Sequence, residues 1–282
     1  FKMQETRQIG LIVPLLDHPF FSRMAQVMEQ ELFRNDYRAI ICNTEEDPQR
    51  EIEYIDLLLR QRVDGIIINS ATNTISYLDD LQAQNVPTVL IDRNIETQKA
   101  SKVFSDNIMG GYLGMKYLIE LGHRHIIVVA PFSTASPIQQ RIHGIHQALE
   151  EFGIPKDPNM FITSDDHSFD FGVSIGNQLM QMNPRPTAVF ALTDVTAIGI
   201  MRACWQLGLH IPDDVSVMGY DDIPLASYAS PALSTIAQSI AEMGQTAVQL
   251  LLNHIQNPDL PSDHAVLATQ LVIRETTAPP IK

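Results

Sequence analysis

The stretch from Gly208 to Gln238, GLHIPDDVSVMGYDDIPLASYASPALSTIAQ, decides the fold of this chain. It predicts a helix end, an Ile-Pro-Asp-Asp turn and a short buried strand, Val215–Met218. A Gly-Tyr-Asp-Asp corner follows, and after an irregular segment the sequence Ser-Thr-Ile-Ala indicates another strand. Acidic side chains at the carboxyl end of a buried strand are typical of the edge where an open α/β sheet binds its ligand. The stretch therefore predicts a ligand-binding α/β protein.

The same alternation of strand and helix extends along all 282 residues. One series runs from the strand Ile9–Val13 to the strand Thr88–Ile91, and a second series restarts after Ser105. Asn107 is predicted to cap the first helix of the second series, and a single strand, Leu267–Ile273, is predicted near the end of the chain. The strands are continuous apolar runs, which favours parallel sheets covered on both faces. The sequence thus predicts an α/β fold with two doubly wound parallel-sheet domains.

Composition excludes several classes of protein. Hydrophobic residues make up 45% of the chain and charged residues 18%, as in a globular protein. No apolar run is long enough for a bilayer span, so no membrane partner is expected. The net charge of −14 repels phosphate backbones, so we expect no direct binding of DNA by this polypeptide. Cys42 and Cys204 are predicted to be buried free thiols in a reducing compartment.

Enzyme signatures are weak in this sequence. The first strand is followed by no glycine, so no dinucleotide cofactor is expected. Gly172-Val173-Ser174-Ile175-Gly176 matches the pattern of a nucleophile elbow, but it lies inside a predicted helix, where small residues favour close helix packing. A hydrolase using Ser174 stays open as a hypothesis that turnover of generic esters would test.

Histidines are the strongest candidates for metal ligands. His123 and His125 lie at one helix-to-strand junction, and His143 and His146 share a helix face. A zinc site needs a third convergent ligand, and the nearest cluster, Asp165-Asp166-His167, is typical of a polar turn. We therefore expect no metal, no cofactor and no catalytic residue.

A set of polar and aromatic residues follows the ends of apolar strands in both halves of the chain. They are Phe20, Phe21, Asn69, Asp92, Arg93, Asp106, Arg141 and Asp221. This shared position predicts a common cleft. Carboxylates accept hydrogen bonds from hydroxyl groups, arginine donates in a fixed fork, and rings pack on C–H faces. The predicted ligand is a neutral polyhydroxylated molecule.

The chain from Thr6 onward resembles the LacI/GalR family of bacterial transcription regulators. The segments that carry the resemblance are IGLIVP, Pro-Phe-Phe, VDGIIINS, PTVLIDR, SDN-x-x-GG, LGHRHI, Arg141-x-x-Gly144, DVTAIGIM and the Gly208–Gln238 block. Periplasmic sugar-binding proteins of the ribose and galactose type share the fold. LGHRHI and IPDDVSVMGYDD are more similar to the regulators.

The resemblance implies a periplasmic-binding-protein-like fold of type I, with two subdomains joined by three crossovers. The implied ranges are 8–106 plus 239–266 for the N-terminal subdomain and 107–238 plus 267–282 for the C-terminal one. Such a protein is a cytoplasmic homodimer that binds a small effector, here a mono- or disaccharide, in the inter-subdomain cleft. Operator DNA would be bound only through an N-terminal helix-turn-helix headpiece, which this sequence does not include. The alternative is a monomeric periplasmic sugar-binding protein of a transporter.

The resemblance also assigns ligand contacts. Phe20 and Phe21 resemble the aromatic wall of the pocket, with His18 beside them. Further polar contacts are implied for Asn69, Asp92, Arg93, Asp106, Arg141, Asp221 and Gln238. Two positions depart from the family pattern: His167 stands where Phe or Trp often stacks on the ligand, and Thr193 stands where Asn is usual. These departures imply an effector different from the best-known sugars, whose identity and effect on repression the sequence leaves open.

Overall fold

The computed structural model describes residues 6–70, 72, 75–131, 136–164, 166 and 168–281. These residues form two compact units. Unit 1 comprises the described residues within 1–105, 135–137 and 239–267, and unit 2 comprises those within 106–134, 138–238 and 268–282. Apart from the short segment 135–137, the chain changes unit at three places, after Ser105, Gln238 and Leu267.

The described residues contain twelve strands and nine α-helices. The strands are β1 (Gln8–Val13), β2 (Arg38–Asn43), β3 (Gly65–Ile68), β4 (Thr88–Ile91), β5 (Ser101–Ser105), β6 (Ile126–Pro131), β7 (Phe161–Ser164), β8 (Ala188–Ala191), β9 (Ser216–Asp221), β10 (Ser234–Ala237), β11 (His264–Leu267) and β12 (Gln270–Val272). The helices are α1 (Pro19–Arg34), α2 (Pro48–Gln61), α3 (Leu78–Ala83), α4 (Asn107–Glu120), α5 (Ser136–Glu151), α6 (Phe169–Met180), α7 (Asp194–Gln206), α8 (Pro224–Tyr228) and α9 (Ile240–Gln256). Among the described residues, no helix combines the length and the apolar character that a membrane span requires.

Each unit is built on its own six-stranded sheet. The strand order is β11-β5-β4-β3-β1-β2 in unit 1 and β12-β10-β9-β8-β6-β7 in unit 2. All neighbouring strands run parallel in unit 1. In unit 2 the edge strand β12 runs antiparallel to β10, whereas the other pairs are parallel. The prediction of an α/β protein with two doubly wound sheets is confirmed, with this one antiparallel edge added.

The predicted strand Leu267–Ile273 is wrong, because the structure divides this segment between the two sheets. β11 pairs in parallel with β5, and Leu267 lies opposite Ser105. β12 pairs with β10 in unit 2. Leu267 therefore lies in unit 1, whereas the prediction placed it in the second subdomain with the range 267–282. Asp106 lies in unit 2 rather than in the range 8–106, because it begins the chain segment that forms α4.

The strands of unit 2 are apolar on both faces because helices cover both. Ile126 and Val128 pack in one core with residues of α4 and α5. Ile127 and Val129 point to the other face, where α6 and α7 supply the core. This alternation explains why the strand reads as an unbroken apolar run in the sequence.

In unit 1, α2 and α3 contribute one core through Ile55, Leu58 and Leu81. Elsewhere in the unit α1 packs against α9, where a methyl group on Gly244 would lie 2.9 Å from a side-chain carbon of Val27. Cys42 and Cys204 are buried and free, as predicted. Burial raises the pKa of each thiol to about 11.

The Gly-x-Ser-x-Gly match lies within α6, and its glycines serve helix packing. A methyl group on Gly172 would lie 2.5 Å from the carbonyl oxygen of Thr196, and one on Gly176 would lie 2.7 Å from the β-carbon of Ala203. Both neighbours belong to α7. The prediction that small residues allow close packing here is confirmed, and Ser174 is exposed on the same helix.

Candidate functional site

Predicted site residues follow the carboxyl ends of strands in both sheets. Asn69 follows β3 and Asp92 follows β4 in unit 1, whereas Asp221 ends β9 and Gln238 follows β10 in unit 2. Asp92 and Asp221 have positive φ angles of 70° and 115°. Residues other than glycine rarely adopt such backbone conformations, and their strain is typical of functional sites. Each unit therefore has a candidate site at this edge of its sheet.

The aromatic residues of unit 1 lie at the start of α1. His18 caps this helix, because its Nδ1 accepts a hydrogen bond from the Phe20 amide at 3.3 Å. Phe20 is buried and Phe21 is half-buried, and their rings meet edge to face with centroids 5.2 Å apart. The His18 ring lies 5.2 Å from that of Phe21. Phe21 is thus the more exposed of the two phenylalanine rings.

Asn69 and Asp92 lie together among the predicted site residues of unit 1, which we call the unit 1 cluster: His18, Phe20, Phe21, Asn69, Asp92 and Arg93. The Asn69 amide nitrogen Nδ2 lies 3.5 Å from the Asp92 carboxylate oxygen Oδ2, and both side chains are buried. A carboxylate only accepts hydrogen bonds, so the amide nitrogen faces it and Oδ1 points elsewhere. Among the described residues, this buried Oδ1 has no hydrogen-bond donor. It is an acceptor that a ligand hydroxyl could satisfy.

Arg93 is buried near several carboxylates, of which Asp92 was predicted from the sequence and Glu46 and Glu51 were not. Burial lowers its pKa, and the negative charges of Asp92, Glu46 and Glu51 oppose that shift. Glu51 lies inside the first turns of α2 and is 1% exposed. A glutamate with charged neighbours on a helix is predicted from sequence to be exposed, so its burial becomes evident only in the folded structure.

Arg141 on α5 is the centre of the unit 2 cluster. Its Nε donates to Asn107 Oδ1 at 2.9 Å, and its Nη1 donates to the Leu192 carbonyl oxygen at 2.7 Å. The guanidinium carbon lies 3.7 Å from the ring centroid of Tyr220, whose hydroxyl also donates to Asn107 at 3.2 Å. These contacts fix the guanidinium plane. Asn107 is not the predicted helix cap; it holds Arg141 in place.

Asp221 and Gln238 complete this cluster. Nη2 of Arg141 lies 3.6 Å from Asp221 Oδ1, and the same oxygen accepts a hydrogen bond from Gln238 Nε2 at 2.8 Å. Because the amide nitrogen faces the carboxylate, the amide oxygen Oε1 of Gln238 faces away from it. This buried oxygen has no donor among the described residues. Unit 2 therefore also has a buried acceptor without a partner at the edge where its strands end.

Two predicted contacts have structural roles as helix caps. Asp106 caps α4 by accepting a hydrogen bond from the Met109 amide at 2.9 Å. Thr193 caps α7 by accepting one from the Thr196 amide at 3.2 Å. Caps of this kind satisfy amides that the helix leaves unpaired. His167 lies outside the described residues.

Asp194, which the sequence analysis also missed, is fully buried beside this cluster. Its carboxylate accepts hydrogen bonds from the Thr235 hydroxyl at 2.6 Å and from the Ile223 amide at 2.9 Å. Burial, reinforced by the negative charge of Asp221, holds the pKa of Asp194 well above its ordinary value of 3.8. The folded state consequently binds more protons than the unfolded state above that pH.

Replacing Asp194 with asparagine is expected to flatten the pH dependence of stability. The wild type should lose stability as pH rises from 3.8 toward the raised pKa, since proton release is harder in the folded state. Asparagine cannot titrate and can keep both hydrogen bonds if the Thr235 hydroxyl turns to accept. Urea unfolding between about pH 5 and about pH 8 measures this slope. The exposed Asp170→Asn is the control, and an unchanged slope in Asp194→Asn would contradict the assignment.

Comparison with known proteins identifies the family. Residues 115–277 match the periplasmic binding protein-like domain. The ribose operon repressor of Haemophilus influenzae is 38% identical over 275 residues, which cover 98% of this chain and 82% of that repressor. The chain belongs to the LacI/GalR family of transcription regulators. The transcriptional repressor PurR of Vibrio atlanticus, another relative, is 36% identical over 92% of this chain and 77% of its own length.

Solved structures agree with this membership. A LacI family regulator from Enterococcus faecium, solved with bound ribose, is 34% identical and superposes with a TM-score of 0.89 over 96% of this chain and 99% of that chain. The alternative, a periplasmic sugar-binding protein of a transporter, is not favoured, because these relatives are repressors.

Proposed function

We propose that this LacI/GalR family chain senses a small sugar, of which ribose is the first candidate. The observation that carries the proposal is the pair of buried amide oxygens, Asn69 Oδ1 and Gln238 Oε1, that have no donor among the described residues. A buried acceptor without a partner costs about 1–3 kcal/mol. Sugar hydroxyls can supply the donors. The ribose bound to the Enterococcus faecium regulator supports the choice of a pentose.

The remaining groups suit a neutral ligand. Arg141 and Asp221 lie together in unit 2, and in unit 1 Arg93 is under the influence of the carboxylates of Asp92, Glu46 and Glu51, so neither set of residues has an excess of cations. An anionic effector would favour an excess of cations. Each cluster is proposed as a set of polar contacts for such a ligand, and Phe21 of unit 1 is proposed to pack on its C–H groups.

Sugar binding is proposed to regulate DNA binding through a population shift. An effector that binds one conformation more tightly than another moves the equilibrium by its differential affinity, typically 1–3 kcal/mol. The net charge of −14 makes these 282 residues a poor surface for DNA. Operator contacts are therefore assigned to a helix-turn-helix headpiece of the kind that the family resemblance implies, and the protein is proposed to act in the cytoplasm without catalysing a reaction.

Calorimetry with D-ribose tests the proposal. We expect saturable one-site binding, together with a rise in melting temperature, because a ligand at 100 times its Kd stabilises by about 2.7 kcal/mol. Hexoses, disaccharides and nucleobases serve as comparison ligands. Binding of a nucleobase but of no sugar would overturn the proposed ligand class.

Replacing Asn69 with leucine separates binding from stability. The variant removes the unpartnered acceptor together with the long 3.5 Å contact from Nδ2 to Asp92, so ribose affinity should fall about tenfold while the free energy of unfolding of the unliganded protein changes by less than about 1 kcal/mol. The matched control is Asn177→Leu on α6, whose side chain donates to the Val173 carbonyl; its ribose affinity should equal that of the wild type. A fall in stability without a fall in affinity would exclude Asn69 from the site.

A homodimer is the proposed assembly. On α8 of unit 2, Tyr228 is 85% exposed and Leu225, three residues earlier on the helix, is 46% exposed. An apolar pair this exposed favours a protein interface. Changing both to aspartate should weaken dimerisation at least about 30-fold in sedimentation equilibrium. The control is Trp205→Asp, at a residue on α7 that is 68% exposed. Loss of the dimer in that variant alone would show that the interface includes Trp205 and not the α8 pair.

A further inference from the structure

Glu51 is a buried carboxylate that is not among the proposed sugar contacts. It lies on α2 among the residues of its first turns, where the positive end of the helix dipole favours an acidic side chain. Its oxygen Oε1 accepts a hydrogen bond from the Ser70 hydroxyl at 2.7 Å and another from the Tyr77 hydroxyl. Ser70 and Tyr77 are themselves buried. One oxygen atom thus links α2 to Ser70, which lies after β3, and to Tyr77, the residue before α3.

These partners lie next to the proposed sugar contacts. Ser70 directly follows Asn69, whose amide oxygen is the unpartnered acceptor. The Ser70 hydroxyl also accepts a hydrogen bond from the Thr72 amide at 3.1 Å. Tyr77 precedes α3, and burial together with the Glu51 charge raises the pKa of its hydroxyl, so the hydroxyl remains a donor at neutral pH. Glu51 therefore anchors Ser70, next to Asn69, and Tyr77, at the start of α3.

We propose that Glu51 is a positioning residue for the effector site, which orients Asn69 by anchoring Ser70 and Tyr77 through its oxygen Oε1. The expected effect of Glu51 on ribose affinity rests on the proposed sugar-binding function. Its anchoring of Ser70 and Tyr77 is a property of the unliganded protein. The two can be measured separately.

Two substitutions at Glu51 distinguish anchoring from charge. Glu51→Gln keeps one carbonyl-type oxygen that can accept both hydroxyl hydrogen bonds, whereas Glu51→Ala removes the acceptor. Anchoring through Oε1 predicts that Glu51→Ala weakens ribose binding about tenfold or more and that Glu51→Gln stays within about threefold of the wild type. Tyr77→Phe removes one of the two donors and keeps the ring in the core, so an intermediate loss of about threefold is expected. Glu53→Ala, exposed on the same helix, is the matched control.

Amide hydrogen exchange of the unliganded protein gives the second readout. The amides of Asn69 and Thr72, which donate to the Ile12 carbonyl and to the Ser70 hydroxyl, should exchange at least about tenfold faster in Glu51→Ala and Tyr77→Phe, and at the wild-type rate in Glu51→Gln and Glu53→Ala. If Glu51→Ala does not fold, Tyr77→Phe and Glu51→Gln still give the comparison. Unchanged exchange in Tyr77→Phe, or a loss of affinity in Glu51→Gln as large as in Glu51→Ala, would overturn the positioning role. A wild type that binds no sugar would instead refute the proposed function, and the exchange comparison would still decide the anchoring.

Discussion

Arg141→Ala is expected to abolish measurable ribose binding and to lower the free energy of unfolding by about 3–5 kcal/mol. The reason is that Arg141 is buried with its contacts already made within unit 2. Its removal takes one of two donors from Asn107 Oδ1 and the Nη1 donor from the Leu192 carbonyl oxygen, and it removes the cation that lies 3.6 Å from the buried Asp221 carboxylate. Breaking a buried ion pair from one side is costly for this reason. Urea unfolding and calorimetry on the same preparation measure both effects.

Arg141→Lys tests whether the geometry of the guanidinium matters beyond its charge. A lysine keeps the positive charge near Asp221 but cannot donate to Asn107 and Leu192 in a fixed fork. We therefore expect Arg141→Lys to recover part of the stability and little of the affinity. Lys156→Ala, which removes an exposed ion pair with Glu150 on the surface, should change stability by less than about 1 kcal/mol. Wild-type ribose affinity in Arg141→Ala would show that Arg141 does not contact the effector.

Gly144→Ala is expected to destabilise the protein by about 3 kcal/mol or more, because α5 and α4 touch at this glycine. A methyl group on Gly144 would lie 1.9 Å from the carbonyl oxygen of Ile108, and one on Gly111 would lie 2.0 Å from the carbonyl oxygen of Arg141. These are backbone atoms, so no side-chain rotation can relieve the overlap. The two helices must separate, and α5 would carry Arg141 with it.

The expected signature of Gly144→Ala is a lower urea midpoint together with weaker ribose binding. Ser174→Ala, at an exposed position of α6, is the control and should stay within about 0.5 kcal/mol of the wild type. A cost below about 1 kcal/mol for Gly144→Ala would mean that the helices separate easily, which would contradict the close packing of α4 on α5.

Much of the fold could be predicted from local patterns. The bounds of β4 match the predicted strand Thr88–Ile91, which is a continuous apolar run. Apolar runs indicated parallel strands covered on both faces, since each strand must bury side chains in two directions. The position of Asn69 and Asp221 at strand ends also followed, because parallel strands bring their carboxyl ends to one edge of a sheet.

Long-range pairing and burial were decided by the tertiary structure. The segment 264–272 is divided between two sheets because Leu267 pairs with Ser105, far away along the chain, and no local pattern encodes that partner. Asn107 was predicted to be a helix cap, but its amide oxygen accepts hydrogen bonds from Arg141, 34 residues away, and from Tyr220, 113 residues away. The pattern of α2 predicts Glu51 as a surface residue, whereas in the folded chain its carboxylate accepts hydrogen bonds from the Ser70 and Tyr77 hydroxyls, which offset the cost of burial. Sequence by itself determined which residues reach the ends of the strands; the folded chain decided which polar atoms there are satisfied, because a hydrogen bond depends on a partner's position in space and not on its distance along the chain.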